Sequence, residues 1–168
     1  TRLRTVTGVQ TCALPIFLAF PPASLDTALE MGVPIVTYSW GEPKNFVDRC
    51  HQSNTWVGAQ VATSTGAKAW SDAGADFIIC QGVEAGGHVQ STTPLLKLLE
   101  ETVRVCEEIP VVATGGLAIG KDIARAFNAG ADAVMLGTRF VATVESRAHP
   151  LYKQTLVDSK AENAIMTL

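Results

Sequence analysis

The sequence has few cysteines and none that are paired. Its four cysteines stand apart among 168 residues, with no Cys-x-x-Cys pair and no histidine at zinc-ligand spacing. This pattern indicates neither a disulfide framework nor a structural metal site. We therefore expect no metal, and we expect buried or reduced thiols at Cys50, Cys80 and Cys106.

An excess of one charge and long apolar runs are also missing. The 13 basic residues are dispersed against 16 acidic ones, so no nucleic-acid-binding surface is indicated. No apolar run reaches the roughly 18 residues that a membrane span needs. With 47% hydrophobic and 17% charged residues, the composition is typical of one globular unit, which we expect in the cytoplasm.

Three segments of the chain resemble one another: ALEMGVPIVTYSW, WSDAGADFIICQG and FNAGADAVMLGTRF. In each, a helical pattern ends at a glycine, namely Gly32, Gly74 or Gly130, and a short apolar run follows. A glycine suits the left-handed position after a helix, and a continuous apolar run suits a strand buried on both faces. The repeat predicts helix, tight turn and parallel strand.

Two further apolar runs, TWVGAQVAT and IPVVATGG, bring the number of predicted strands to five, with four helices between them and one helix before them. The predicted strands are 33–39, 55–62, 76–81, 110–114 and 133–137; the predicted helices are 24–31, 43–51, 64–73, 94–108 and 120–129. A doubly wound sheet would alternate in the same way. We favour a TIM-type β/α barrel, because polar and glycine motifs follow several successive strands, where barrel enzymes place their functional loops.

The chain is shorter than the roughly 250 residues of a complete eight-stranded barrel. We therefore interpret it as a fragment with about five of the eight strands, in which residues 17–168 form the C-terminal part. The stretch VTGVQTCALPI, read back into codons, resembles an adapter used in short-read sequencing. Residues 1–16 are accordingly interpreted as a sequencing-adapter or cloning scar that is not native and contributes nothing to the fold.

The motif CQGVEAGGHV, residues 80–89, is the strongest chemical signal. It follows a predicted strand directly, and its adjacent glycines let the backbone approach a ligand closely. His88 then stands near the strand's carboxyl end, where an imidazole can exchange protons near neutral pH. The alternative is a glycine-rich turn with a solvated histidine. His51, in the polar segment CHQSNT, is interpreted as a capping or solvated residue.

Two consecutive glycine loops follow the last two predicted strands. VVATGG delivers Gly115 and Gly116 to a loop before a helix, and AVMLGT ends in Gly137 and Thr138. Exposed backbone N–H groups in such loops can hold a phosphate, and the loops after the seventh and eighth strands are the usual phosphate site of barrels. Neither loop fits the P-loop or the G-x-G-x-x-G pattern.

QGVEAGGH, PVVATGG and LGTRFVATVESRAHPLYK together resemble the nitronate monooxygenase family, formerly called 2-nitropropane dioxygenases, which are FMN-dependent β/α barrels. The resemblance implies His88 as the catalytic base. It also implies contacts between FMN and a set of residues on four segments: Gln81, Gly86, Gly115, Gly116, Met135, Leu136, Gly137 and Thr138. The early strands of the family, which supply part of the cofactor site, have no counterpart in the predicted elements.

The activity implied is oxidation of an alkyl nitronate by O2 to a carbonyl compound and nitrite, with a nitronate or nitroalkane as substrate. FMN-dependent enoyl-acyl-carrier-protein reductases, which use NAD(P)H, resemble the same motifs and remain an alternative. Ala85 in EAGGH favours the monooxygenase. A third alternative is an inactive barrel fragment that lacks the N-terminal strands; its open sheet would leave strand edges and apolar faces exposed. The sequence gives no oligomeric state.

Overall fold

A computed structural model describes residues 13–17, 23–39, 41, 46–160 and 164 of the chain. Within this part, short strands alternate with helices. The strands are β1 Ala13–Phe17, β2 Ile35–Ser39, β3 Trp56–Val61, β4 Phe77–Gln81, β5 Val111–Thr114 and β6 Ala133–Met135. The helices are α1 Ala23–Glu30, α2 Phe46–Gln52, α3 Ser64–Asp72, α4 Leu95–Val105, α5 Gly120–Asn128, α6 Thr138–Val141 and α7 Pro150–Asp158.

The six strands form one parallel sheet in the order of the sequence, β1 to β6. Connections between parallel strands are nearly always right-handed, so a strictly sequential order places all crossover helices on the same face of the sheet. A doubly wound sheet would instead reverse its strand order at a switch point. The order therefore confirms the predicted barrel-type architecture over the doubly wound alternative.

The structure contains the five predicted strands and one more. The added strand β1 pairs with β2 in parallel, with Pro15 opposite Thr37. Proline lacks the N–H that a central strand needs, and an edge position tolerates it. Residues 13–16, which we expect to contribute nothing to the fold, thus pair with β2 in this structure. The foreign origin of the segment stays a prediction, and residues 1–12 lie outside the described part of the chain.

The two faces of the sheet differ in burial. The helix-covered face is closed and apolar, and there Tyr38 packs between Phe46 of α2 and Trp70 of α3, at ring-centroid distances of 5.0 and 5.5 Å. On the opposite face, which is the inner face of a barrel, Trp56 is 41% exposed and Met135 is 40% exposed. The main hydrophobic core thus lies between the sheet and its helices.

The repeated helix-glycine-strand unit forms as predicted. Gly32, Gly74 and Gly130 each follow a helix with positive φ, at 66°, 87° and 99°. Glycine adopts this conformation at little cost because it has no Cβ. The last unit ends early, since β6 stops at Met135 and the residues up to Gly137 form a loop. No helix in the described ranges is long and apolar enough to cross a membrane.

Candidate active site at the carboxyl edge of the sheet

Gln81 is the last residue of β4 and holds the loop that follows it. Its side chain is buried, with 5% of the residue exposed. Its amide nitrogen donates to the carbonyl oxygen of His88 over 3.1 Å, and its amide oxygen accepts from the backbone N–H of Gln90 over 3.1 Å. One side chain therefore fixes two main-chain points of the loop, on either side of Val89.

These bonds place His88 beyond the carboxyl end of β4, as the sequence predicted. The residue is exposed, and it follows Gly87, whose φ of 81° turns the chain before it. The backbone is thus held by Gln81 while the imidazole lies at the surface of the edge. A side chain so placed can reach a small ligand above the strand ends, which a general base requires.

Gly115 and Gly116 bring the loop after β5 against the loop after β4. Both have positive φ, at 116° and 65°. A Cβ atom on Gly115 would lie 3.1 Å from the backbone nitrogen of Ala85, and one on Gly116 would lie 2.8 Å from Cβ of Glu84. The structure therefore gives these two glycines a packing role between loops; their predicted contact with phosphate stays a prediction.

The loop after β6 meets the same cluster through Gly86. A Cβ atom on Gly86 would lie 3.0 Å from the hydroxyl oxygen of Thr138. Thr114, at the end of β5, donates its hydroxyl to the carbonyl oxygen of Met135 over 2.9 Å and so ties the ends of β5 and β6 together. Around Gly137 the space is open, since no described atom lies within 4 Å of its Cβ position. The predicted residues of β4, β5 and β6 thus converge at one edge.

Glu84 and Gly82, to which the sequence analysis gave no role, hold this edge together. A carboxylate oxygen of Glu84 accepts from the backbone N–H of Leu95 over 2.9 Å, at the start of α4. Pro94 occupies the N-cap position of α4 and makes no side-chain cap bond. A Cβ atom on Gly82 would lie 2.4 Å from Cβ of Leu95. The signal in the sequence was a helix start without Ser, Thr, Asp or Asn at its N-cap.

A cleft of about 500 Å³ opens at the same edge, beside the segment that follows His88. This volume lies within the roughly 300–1,000 Å³ that is usual for small-molecule sites. Its walls come from the end of β3, the start of α3 and the segments that follow β2 and β4: Gly41, Gln60, Val61, Ala62, Thr63, Gly66, Val89 and Gln90. Sequence reasoning had assigned no function to the residues of β3 among them.

The remaining candidate groups, the buried cysteines and His51, do not contribute reactive side chains to this edge. Burial raises the pKa of the Cys80 thiol to about 12, so the thiol stays protonated and is no nucleophile near neutral pH. Cys50 and Cys106 are buried too, which confirms the interpretation of these thiols. His51 lies 3.0 Å from a carboxylate oxygen of Asp76, at the opposite edge of the sheet. Among the described residues, no group of three potential ligands could hold a metal ion.

A singly wound parallel sheet with a cleft and converging loops at its carboxyl edge defines a β/α barrel-type protein, and that edge is its candidate small-molecule site. The sequence model of the nitronate monooxygenase family matches residues 5–168 of the chain. The chain therefore belongs to the nitronate monooxygenase family.

Similar proteins include a probable nitronate monooxygenase from Staphylococcus saprophyticus, 31% identical over 154 residues, or 86% of this chain and 43% of that protein. FabK from Thermotoga maritima has a TM-score of 0.82 at 38% identity, covering 88% of this chain and 47% of its own. A nitroalkane oxidase from Streptomyces ansochromogenes has a TM-score of 0.78 at 32% identity, covering 87% and 55%. The chain spans less than half the length of the curated relatives it matches.

Proposed function

We propose that the protein oxidises alkyl nitronates with O2 to a carbonyl compound and nitrite, with FMN as cofactor. The observation that carries this proposal is the convergence of three motifs distant in sequence. Gly86 and Thr138 lie next to each other, as do Ala85 and Gly115, so the loops after β4, β5 and β6 form one surface. Family membership and the similarity to a nitroalkane oxidase support the same chemistry.

The residues at the end of β6 fit the phosphate of FMN. Open space surrounds Gly137, and no hydrogen bond links the Thr138 hydroxyl to another described residue. Backbone N–H groups and a hydroxyl are donors that phosphate oxygens accept. When bound, FMN supplies the electron transfer between nitronate and oxygen. Gly86 and Gln81 border this surface on the side of β4.

His88 acts as the base in this proposal. With a neutral nitroalkane, the imidazole takes the proton from the carbon that bears the nitro group, and the carbon keeps the electron pair as a nitronate. The amide nitrogen of Gln81 donates to the carbonyl oxygen of His88, so the buried end of β4 fixes the backbone position from which the imidazole extends. A preformed nitronate has already lost that proton and does not need the base.

Gly137 offers the cleanest test of the phosphate site. Replacing it with alanine should weaken FMN binding, because the methyl group would enter the space that the proposal gives to the phosphate. The melting temperature of the apoprotein should be unchanged, because the structure has room for the methyl group and the φ of −109° at Gly137 suits any residue. The matched variant Gly115→Ala should lower the melting temperature as well, since its Cβ would press on Ala85. Unchanged FMN affinity in Gly137→Ala would remove this loop from the cofactor site.

The activity itself is tested on the purified, flavin-loaded full-length protein. Oxygen consumption and nitrite release with a nitronate, in the absence of pyridine nucleotide, are the expected results. The second candidate is reduction of an enoyl thioester with NAD(P)H. Identity is 38% with FabK and 32% with the nitroalkane oxidase, so overall similarity does not select nitronate chemistry. Oxidation of NAD(P)H that depends on an enoyl thioester, without nitronate turnover, would establish the second candidate.

The third candidate is an inactive barrel fragment. For residues 17–168 expressed alone, the exposed side chains of Trp56 and Met135 on the open face favour the inactive-fragment candidate. Exposed apolar surface of this kind promotes aggregation. Gel filtration and thermal melting of that segment decide the question. A monodisperse, cooperatively melting protein that binds FMN would rule this candidate out.

A further inference from the structure

Two pairs of polar residues lie on the inner face of the sheet near the carboxyl ends of the strands, offset by two residues because Gln60 lies opposite Ile79 of β4. The register pairs Ser39 of β2 with Gln60 of β3, and Gln81 of β4 with Thr114 of β5. Side chains opposite each other in a parallel pair share a face. Gln81 is engaged with the His88 loop and Thr114 with the carbonyl oxygen of Met135. The Gln81–Thr114 pair therefore holds the loop after β4 and the end of β6.

The Ser39–Gln60 pair has no such contact with the described part of the chain. No hydrogen bond links the side chain of Gln60 or Ser39 to another described residue. Gln60 is half-buried and lines the cleft, and Ser39 beside it is 8% exposed. The hydroxyl oxygen of Thr63, also on the cleft wall, accepts from the backbone N–H of Gly66 over 3.0 Å. A half-buried amide without a protein partner loses solvation that a ligand can restore.

The charge of the cleft narrows the kind of ligand. Its described lining carries no Lys, Arg, Asp or Glu side chain, so polar recognition there falls to neutral groups. An amide NH₂ and a hydroxyl donate hydrogen bonds to oxygen acceptors without adding a charge. Neighbouring glycines and small apolar residues leave room for a flat group to approach them.

We propose that Gln60, with Ser39 beside it, donates hydrogen bonds to an oxygen of a planar anion with delocalised charge. This inference rests on the proposed function, which supplies two acceptors of that chemistry. One is an oxygen of the bound nitronate, and the other is the pyrimidine carbonyl of the flavin, which gains negative charge on reduction. In either role Gln60 is a binding residue of the cleft, separate from the base His88.

The test compares Gln60→Leu and Gln60→Glu with the wild type in the flavin-loaded full-length protein. The control variants are Gln52→Leu and Gln52→Glu, because Gln52 is exposed at the end of α2, away from the cleft. Three quantities are measured: KM and kcat for a preformed nitronate, Kd for FMN by fluorescence, and the midpoint potential of the bound flavin. Circular dichroism melts establish that each variant folds.

Loss of a hydrogen bond to a charged acceptor typically changes binding about tenfold or more. If the acceptor is the nitronate, KM rises about tenfold in Gln60→Leu and further in Gln60→Glu, whose carboxylate repels the anion, while Kd for FMN is unchanged. If it is the flavin, Gln60→Glu lowers the midpoint potential and Gln60→Leu weakens FMN binding. The Gln52 variants match the wild type in both cases.

Folded Gln60 variants with wild-type KM, Kd and midpoint potential would overturn the inference. A wild-type protein that turns over no nitronate would contradict the proposed function instead. The two flavin measurements then decide the role of Gln60 by themselves, and unchanged values there would overturn it as well.

Discussion

The two edges of the sheet are built in different ways. At the amino edge, the sequence Ala-Gly-Ala-Asp occurs twice, and both copies make the same closure. A carboxylate oxygen of Asp76 accepts from the backbone N–H of Val57 over 2.7 Å, and the N–H of Asp76 donates to the carbonyl oxygen of Val57 over 2.8 Å. Asp132 repeats both bonds with Val111, at 3.0 and 2.9 Å. Each copy ties a strand to its neighbour.

At the carboxyl edge no unit is repeated. Each described loop differs in sequence, and the loops after β4, β5 and β6 meet one another through glycines. Gly86 lies against Thr138 and Gly116 against Glu84, while Gly82 packs against Leu95 at the start of α4. Repetition thus accompanies the edge that stabilises the sheet, and divergence accompanies the edge that carries the cleft and His88. Four experiments test this division: three change residues of the loop after β4, namely His88, Gly82 and Glu84, and one changes the amino-edge carboxylates Asp76 and Asp132.

His88→Asn should give the largest effect. If His88 is the base, flavin-loaded protein should lose turnover of a neutral nitroalkane by about 10²- to 10⁴-fold, the usual contribution of general-base catalysis. FMN binding should be unchanged, and a preformed nitronate should be affected much less. Steady-state oxygen consumption with both substrates measures the contrast. Equal losses on the two would indicate a positioning role, and no loss would remove His88 from the site.

Gly82→Ala should destabilise the carboxyl edge. The new methyl carbon would lie 2.6 Å from the backbone Cα of Leu95, which cannot move without shifting α4. Overpacking of this kind costs about 1–3 kcal/mol. Gly120→Ala is the matched control, because no described atom lies within 4 Å of its Cβ position. Urea unfolding measures both; a Gly82 variant as stable as the Gly120 variant would contradict the packing described.

Asp76→Ala should lower the stability of the fold and leave cofactor binding and turnover unchanged. It removes the acceptor of the Val57 N–H, and an unmade bond to a partly buried donor costs about 1–2 kcal/mol. Asp132→Ala should cost less, because Asp132 is the more exposed of the two. Kd for FMN and kcat per folded molecule should match the wild type. A large change in either constant at equal folded fraction would mean that the two edges are coupled.

Glu84→Ala should have the smallest effect on stability, about 1 kcal/mol, which is typical for loss of a helix-capping side chain. Glu84→Gln should be close to the wild type, since an amide oxygen can still accept from the N–H of Leu95. Because Glu84 lies in the same loop as His88, the alanine variant should also lower kcat for nitroalkanes, and the glutamine variant should restore it. Equal kcat values in both variants would limit Glu84 to capping α4.

Much of the fold follows from local sequence. The alternation of strands and helices, the left-handed glycines and the buried cysteines were all predicted, because helix termination and strand burial depend on neighbours in the chain. The same local pattern could not reveal β1. The proline in its sequence weakens the prediction of a strand. The segment pairs because β2 offers it an unpaired strand edge.

The candidate site divides in the same way. The sequence by itself determined that His88 follows a strand and that glycine-rich loops follow the next two strands. Only the tertiary structure decided that Gly86 lies against Thr138 and that Gly115 and Gly116 pack on the loop of His88. It also decided that Gln60 faces a cleft with its amide bonded to no other described residue. These relations depend on strand order and register, which bring together residues far apart in the chain, and no local pattern encodes them.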